Sequence, residues 1–252
     1  MEVEEEKRRI RQKVWELMER ANVAAFPRPV YGRIPNFVGA REAAERLAST
    51  EEFRRAKVIK VNPDSPQRPV RELALRYGKL VLVPTPRLRG QFYLLDPSRV
   101  DPAYASTIAG FTTVGERVDV ESAPRVDMVV VGSVAVSPDG YRVGKGEGYS
   151  ELEYAMLREM GKLDDQVPVA TTVHDVQVVE RVPSLPYDVP VDLIVTPTKL
   201  IRVTPRKPKP SGLLLEYLSP SKVEETPYLK SYLIRTGRWP SAGVAGAMRL
   251  PI

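Results

Sequence analysis

The chain has 252 residues, with 38 Lys and Arg against 32 Asp and Glu, one His and no Cys. That length suits one large domain or two small ones, and the net charge of +6 favours an anionic partner without choosing among nucleotide, phosphorylated metabolite and nucleic acid. The lack of Cys excludes disulfides, thiolate metal sites and cysteine nucleophiles, and the lack of a long apolar run excludes a membrane-spanning helix.

The first segment, MEVEEEKRRIRQ, is charged and has no apolar signal-peptide core, so a soluble cytoplasmic protein is expected. Residues 4–20, EEEKRRIRQKVWELMER, form a helix with Ile10, Val14, Leu17 and Met18 on one face. AAFPRPVYGRIPNF (24–37) is a proline-rich loop, and GAREAAERLASTEEFRRA is one or two helices. KVIKVN is a short strand, PDSPQRP a turn, and VRELALRYG a helix that stops at Gly78. Then come the apolar runs KLVLVPTP, DMVVVGSVAV (127–136), PVATTVHDVQVV (168–179) and VDLIVTPTKLI (191–201). Continuous β-branched runs between helices indicate strands buried on both faces, hence parallel. The fold class expected is α/β, a three-layer domain with a mainly parallel central sheet holding residues 80–83, 128–132, 168–173 and 192–195. Its domain spans 1–212, and 213–252 are short helices and a tail, joined through the basic linker PRKPKP (205–210). Few amides (three Asn, five Gln), no Cys and many Arg, Glu and Pro match the composition of heat-adapted proteins.

Between the second and third runs lies GYRVGKGEGYSELEYAML (140–157), a turn and glycine loop that lead into a helix with Leu152, Ala155, Met156 and Met160 on one face. Glycines at alternate positions 144, 146 and 148 let backbone N–H groups converge on an anion. The helix N-terminus adds partial positive charge, and Arg142 and Lys145 add full charges. A glycine-rich hairpin or plain helix start fits the same pattern. It is neither a Walker A sequence nor a dinucleotide fingerprint.

GYRVGKGEGY resembles the G-x-R-L-G-x-G-x-G-Y-Y-D motif of the 5-formyltetrahydrofolate cyclo-ligase (methenyltetrahydrofolate synthetase) family. Gly140, Arg142, Gly144, Gly146, Gly148 and Tyr149 match. DVPVDLIVTP (188–197) is similar to that family's D-V-P-V-D-x-I-x-T-P, with Gln177 upstream. KRRIR, through Lys7 and Arg11, is similar to its opening K-x-x-L-R, and GKLVLVPTP to its G-K-x-V-x-x-P. These matches run in family order over roughly residues 5–200. GSVAVSPDGYRVGKGEGYSELEYAM, TVHDVQVV and RKPKPSG resemble the divergent branch of methenyltetrahydrofolate synthetase domain-containing proteins, which is linked to thiamin metabolism and in which the domain can be joined to an RNA-recognition module. No RNP-type aromatic strand is visible in this chain.

The resemblance implies an enzyme that uses ATP and Mg2+ to phosphorylate the formyl oxygen of 5-formyltetrahydrofolate, after which a neighbouring nitrogen closes the ring and phosphate leaves. It implicates Lys7 and Arg11 with nucleotide. It adds Arg142 and the loop Gly144, Lys145, Gly146, Glu147, Gly148 and Tyr149. Phosphoryl transfer depends on positioning and charge neutralisation, which suits this set, and Lys7 and Arg11, one helical turn apart, can face one anion. The family's Y-Y-D becomes Tyr149-Ser150-Glu151, so Glu151 is the metal candidate and the second aromatic is gone. The family's substrate Glu before the mid-chain helix has no evident counterpart in VNPDSPQRPVREL. Weak or absent cyclisation of 5-formyltetrahydrofolate is therefore expected.

His174 and Asp175 follow VATTV, at the C-terminal end of a strand where open α/β sheets place ligands. As a pair they are candidates for proton transfer, or a loop His with a capping Asp. Lys199, Arg202, Arg206, Lys207 and Lys209 are an anion or RNA contact, or a solvated linker. Trp15 and Trp239 are packing residues. Two functions follow. One is an ATP-binding, ligase-like enzyme acting on a folate or another, thiamin-related heterocycle. The other is a non-catalytic nucleotide- or RNA-binding module that keeps the phosphate loop.

Overall fold

The computed structural model describes residues 1–241, so the end of the expected tail, 242–252, lies outside the described residues. The chain opens with α1 (Glu2–Arg20), followed by α2 (Ala40–Ala48) and α3 (Glu51–Arg55). Then come β1 (Val58–Val61), α4 (Arg68–Arg76), β2 (Leu80–Val83), β3 (Phe92–Leu95), α5 (Pro102–Ala105), α6 (Ile108–Val114) and β4 (Glu116–Val118). β5 (Met128–Val131) leads through the short β6 (Ala135–Val136) and β7 (Arg142–Val143) to α7 (Tyr149–Glu159). β8 (Val169–Thr172), β9 (Leu193–Val195), β10 (Leu200–Arg202), α8 (Pro220–Glu225) and α9 (Pro227–Arg235) complete it.

One eight-stranded sheet has the order β10-β9-β8-β5-β1-β2-β3-β4. Its middle, β9 through β2, is parallel, with Ile59 opposite Met128 and Val81, and Val130 opposite Ala170. β3 and β4 on one edge and β10 on the other are antiparallel. The expected three layers are present, and side-chain alternation explains them. Met128 and Val130 join Ile59 and Ala170 in a core under α2 and α4, while Val129 and Val131 join Val169 in a core under α7 and α9. Residues of β1, β5 and β8 are buried throughout, and β5, MVVV, is an unbroken apolar run, whereas β1 buries Lys60 and β8 buries Thr171 and Thr172. Each fully buried Val, Ile or Met side chain contributes about 1.5–3 kcal/mol of transfer free energy.

Several expected elements come out differently. VDLIVTPTKLI is two strands, because Pro197 breaks the run and β9 returns as the antiparallel β10. DMVVVGSVAV leaves the main sheet at Gly132; its second half, β6, pairs with β7 in a separate hairpin. On α1, Leu17 is exposed, whereas Trp15 is buried and donates its indole N–H to the Arg33 carbonyl at 3.0 Å. The proline-rich loop covers that side of the helix, so Val14 and Met18 of the expected stripe are buried and Ile10 partly so, with Trp15 in place of Leu17. Trp239 packs against the core beside α9.

From β1 the chain passes through α4 to β2 on one side, and after β4 it returns to place β5 on the other side of β1. The loops after β1 and β5 therefore flank the point where strand order reverses, at the carboxyl ends of the parallel strands. Gly132 sits there. A Cβ on it would lie 2.7 Å from Ile34 Cγ2 and 3.0 Å from Asp64 Oδ2, so only glycine lets these loops close on each other.

Candidate functional site

β7 delivers the chain into the glycine loop, and the loop ends as the N-terminus of α7. Gly146 (φ +102) and Gly148 (φ +75) adopt left-handed conformations, which cost a side-chain-bearing residue about 1–2 kcal/mol. The backbone N–H groups of Gly144, Lys145, Gly146, Glu147 and Gly148 donate to no other group among the described residues. Gly148 is the N-cap of α7 and no side chain caps this helix. A run of free N–H groups thus meets the positive end of an eleven-residue helix.

The cations assigned from sequence brace this loop from beneath. Arg11 Nε donates to the Gly144 carbonyl at 2.7 Å. Burial draws its pKa below the usual arginine value, with Glu4, Glu151 and Asp188 opposing. Lys7 is buried and its ammonium lies 2.6 Å from Asp188 Oδ2, and Lys7 and Arg11 line one small cavity with Gly144, Gly146 and Gly148. Arg142 is also buried. It donates to Ser133 Oγ (3.2 Å), the Gly132 carbonyl (2.7 Å) and Glu151 Oε1 (2.6 Å). Burial alone would raise the Glu151 pKa, but the Arg142 guanidinium outweighs it and holds the carboxylate below its ordinary value. For Asp188 burial prevails over Lys7 and the shift is upward. Lys145, half-exposed, lies 3.4 Å from Glu147, which also receives Arg87 at 2.7 Å.

A carboxylate missed in the sequence completes the other side. Asp64, in the turn between β1 and α4, reaches a cavity of about 100 Å³ beside the loop, and its carboxylate accepts no hydrogen bond among the described residues. Burial raises its pKa against the pull of Lys145, Arg71, Lys60 and Arg142. Its position three residues beyond a buried strand and just before a helix was the available signal. Behind it, Lys60 of β1 meets Glu153 of α7 at 2.5 Å and Asn62 at 2.8 Å. Burial pushes the Glu153 carboxyl up to about 7 despite Lys60.

Four cavities adjoin around the loop, and the smallest, of about 50 Å³, is lined by Gly144, Gly146 and Gly148 together with Lys7, Arg11 and Arg142. The central one, beside Asp64, shares Glu147, Gly148 and Glu151 with a cavity of about 300 Å³ on one side. It shares Ile34, Asp64 and Lys145 with one of about 420 Å³ on the other. His174 and Asp175 line none of them. They form the short turn after β8: His174 Nδ1 accepts from the Val176 N–H at 3.1 Å, and Asp175 Oδ1 accepts from Thr196 (2.7 Å) and Thr198 (2.6 Å). Burial lowers the His174 pKa despite Asp175.

The basic C-terminal stretch is tied to the fold through ion pairs. Lys209 (2.8 Å) and Arg206 (3.0 Å) both pair with Asp192, and Arg202 pairs with Glu52. No cluster of three or more His, Cys, Asp or Glu side chains suited to a metal occurs among the described residues, and none of their helices is long and apolar enough to cross a membrane.

The model of the 5-formyltetrahydrofolate cyclo-ligase family matches residues 3–197. The methenyltetrahydrofolate synthase domain-containing protein of Bos taurus is 44% identical over 232 residues, covering 89% of this chain and 61% of that protein. Its Homo sapiens counterpart is 42% identical over 236 residues, covering 91% and 62%. The chain thus spans about three fifths of the length of these curated relatives. The solved structure of Aquifex aeolicus 5,10-methenyltetrahydrofolate synthetase superposes with a TM-score of 0.52 at 24% identity, over 80% of this chain and 94% of that one, a likeness of fold.

Proposed function

This chain belongs to the 5-formyltetrahydrofolate cyclo-ligase family, and from that premise we propose that it is an ATP-dependent ligase that phosphorylates a carbonyl or formyl oxygen of a folate or another heterocycle. The observation that carries this reading is the run of unpaired N–H groups from Gly144 to Gly148 at the uncapped start of α7, with a cavity on either side. A loop between two compartments is what a reaction between a nucleotide and a second ligand requires.

The free N–H groups and the helix terminus hold the phosphates, and Lys145, which lines both the central and the larger cavity, neutralises the phosphoryl group in transit. The γ-phosphoryl group leaves the β-phosphate oxygen and bonds to the acceptor oxygen. The neighbouring nitrogen then attacks the activated carbon, the ring closes and inorganic phosphate departs. Asp64, whose carboxyl pKa burial raises, anchors the heterocycle through a ring N–H or amino group. Lys7, Arg11 and Arg142 keep the loop in register. Mg2+ on a nucleotide needs only one or two protein carboxylates. Glu147 and the second oxygen of Glu151 fit that need, and the ion would neutralise phosphate charge there. Acid–base roles for His174 and Asp175 draw no support, since both are committed to the turn after β8. For the RNA-binding alternative, Lys209 is buried against Asp192, while Arg202 and Arg206 remain exposed in surface pairs with Glu52 and Asp192.

The test is ATP hydrolysis or phosphate release by the purified chain with Mg2+ and a panel of formylated and carbonyl-bearing heterocycles. Stimulation by one of them supports the enzyme. Nucleotide binding with no stimulated turnover, together with salt-sensitive RNA binding, would favour the binding module.

A further inference from the structure

The 300 Å³ cavity has one wall that lies outside the family match, which ends at residue 197. That wall is Leu213, Leu214, Tyr217 and Leu218; opposite stand Gly146–Gly148 with Leu152 and Ala155 of α7, and Tyr187 closes one side. We propose that the segment 212–222 completes a purine subsite for the nucleotide, with Tyr217 and the leucines packing on the base. The proposal rests on the reading of the glycine loop as a phosphate site.

Four features favour a base here over the second substrate. The cavity opens on the loop at Gly146 and Gly148, so an occupant with phosphates on the N–H groups directs its nucleoside into this space. Its volume is at the lower end for a small ligand and suits a nucleoside. Leucine, alanine and tyrosine form the apolar part of its walls, with Glu147, Glu151 and Lys222 as charged groups among them. Tyr217 lines the cavity, is half-exposed and meets Tyr187 edge-on with ring centroids 5.4 Å apart. At the rim, the Glu4 carboxylate accepts the Tyr187 hydroxyl at 2.9 Å and has a second oxygen free for an exocyclic amine. The larger cavity on the far side carries Asp64 and Lys145, groups suited to a polar acceptor.

The wall is held rigidly, by the same helix that presents the phosphate site. Glu159 at the last turn of α7 accepts from the Leu213 N–H at 2.9 Å and from Arg238 at 2.9 and 2.7 Å. Gly212 passes so close that a Cβ would come within 2.8 Å of Glu159 Cγ. Lys222, from α8, sets its ammonium 4.0 Å from the centre of the Tyr149 ring, tying the segment to the first turn of α7.

The experiment compares ADP with tripolyphosphate, by calorimetry, on the intact chain and on Tyr217→Ala and Leu214→Ala. Both variants alter cavity-lining side chains outside the cores, and a melting scan verifies their fold. Aromatic contacts to a base are worth about 5- to 150-fold in affinity. We expect Tyr217→Ala to lose ADP affinity within that range and Leu214→Ala to lose less, with tripolyphosphate binding unchanged in both. Undiminished ADP binding by both variants would overturn the purine subsite and leave the phosphate loop standing. An equal loss for ADP and tripolyphosphate would also overturn it, since the segment would then act on the phosphates. Failure of the unaltered chain to bind either ligand would remove the phosphate reading itself, and the subsite with it.

Discussion

Arg142→Ala is expected to cost the fold about 3–5 kcal/mol, the usual penalty when one partner of a buried ion pair is removed. The reasoning starts from what the guanidinium touches. It bonds the Gly132 carbonyl at the exit of β5, the Ser133 hydroxyl and Glu151 in the first turn of α7, and its side chain is 3% exposed. Removing it strands the Glu151 carboxylate, 15% exposed, and frees the loop from the strand end. Adding Glu151→Gln removes the stranded charge, so the double variant should recover about half of the loss. Urea denaturation gives these free energies, and ADP calorimetry on the same samples reads the loop. ADP affinity should fall in the single variant through misplacement of the loop, by about 1–3 kcal/mol. The reasoning is refuted if Arg142→Ala keeps its unfolding free energy while ADP affinity drops tenfold or more, because the side chain would then be a phosphate ligand and not a brace.

Lys145→Ala should behave in the opposite way: unfolding free energy within about 0.5 kcal/mol of the parent, as for exposed sites, and ADP affinity lower by about 10-fold or more at low salt; an unchanged affinity counts against its role at the phosphates. Glu153 supplies a pH signature. Its folded pKa of about 7 lies above its ordinary 4.5, so between those values the folded chain binds more protons than the unfolded one. This group's contribution therefore makes stability fall as pH rises from about 4.5 to 7 and level off above, a trend absent in Glu153→Gln when urea midpoints are compared across that window. For 5-formyltetrahydrofolate, Ser150 replaces one expected aromatic, but Asp64 stands where the missing carboxylate was sought. Turnover reduced by about one to two orders of magnitude is expected, less than the loss of both groups would give; methenyltetrahydrofolate formation near one per second would show that the Ser150 position does not matter.

The parts of this fold legible in sequence are those whose physics is local. β2 and β5 announce themselves because burial on both faces demands an apolar run, and β1 and β8 do so through their β-branched residues although each buries polar side chains. β3 and β4 do not: FYLL lies between proline-bearing turns and ERV is three residues long at an edge. The glycine loop is legible because a backbone that must take positive φ and expose N–H groups selects glycine at fixed spacing. The pairing of Lys7 with Asp188 is not, since 181 residues separate them and each alone reads as a surface charge. Asp64 was hidden for a related reason. A turn acid before a helix is ordinary chemistry until the fold carries Gly132 and Lys145 up to it. The segment after residue 212 showed its helices through periodicity, but its closure over the cavity depends on Glu159 meeting Leu213 and Arg238.

The charges around the loop divide into two kinds, and the division decides how each can serve a ligand. Lys7–Asp188, Arg142–Glu151 and Lys60–Glu153 are buried pairs. Separating one would strand a carboxylate in a place of low polarisability, so a phosphate that meets Lys7 or Arg142 in the small cavity beside the glycines must do so with their pairs intact. Arg87 and Lys145 share Glu147 at the surface, where side-chain exposures of 52% and 33% leave both cations hydrated and the pairs weak. A polyphosphate on the loop can displace Glu147 from both and gain two cations, and the released carboxylate is then free to bind a nucleotide-borne cation. Arg87 is also held at φ +59, an uncommon conformation for arginine that fixes its approach to the cavity. The buried pairs are therefore the frame that fixes the N–H groups, and the surface trio of Arg87, Lys145 and Glu147 is the part that can exchange partners when a ligand arrives.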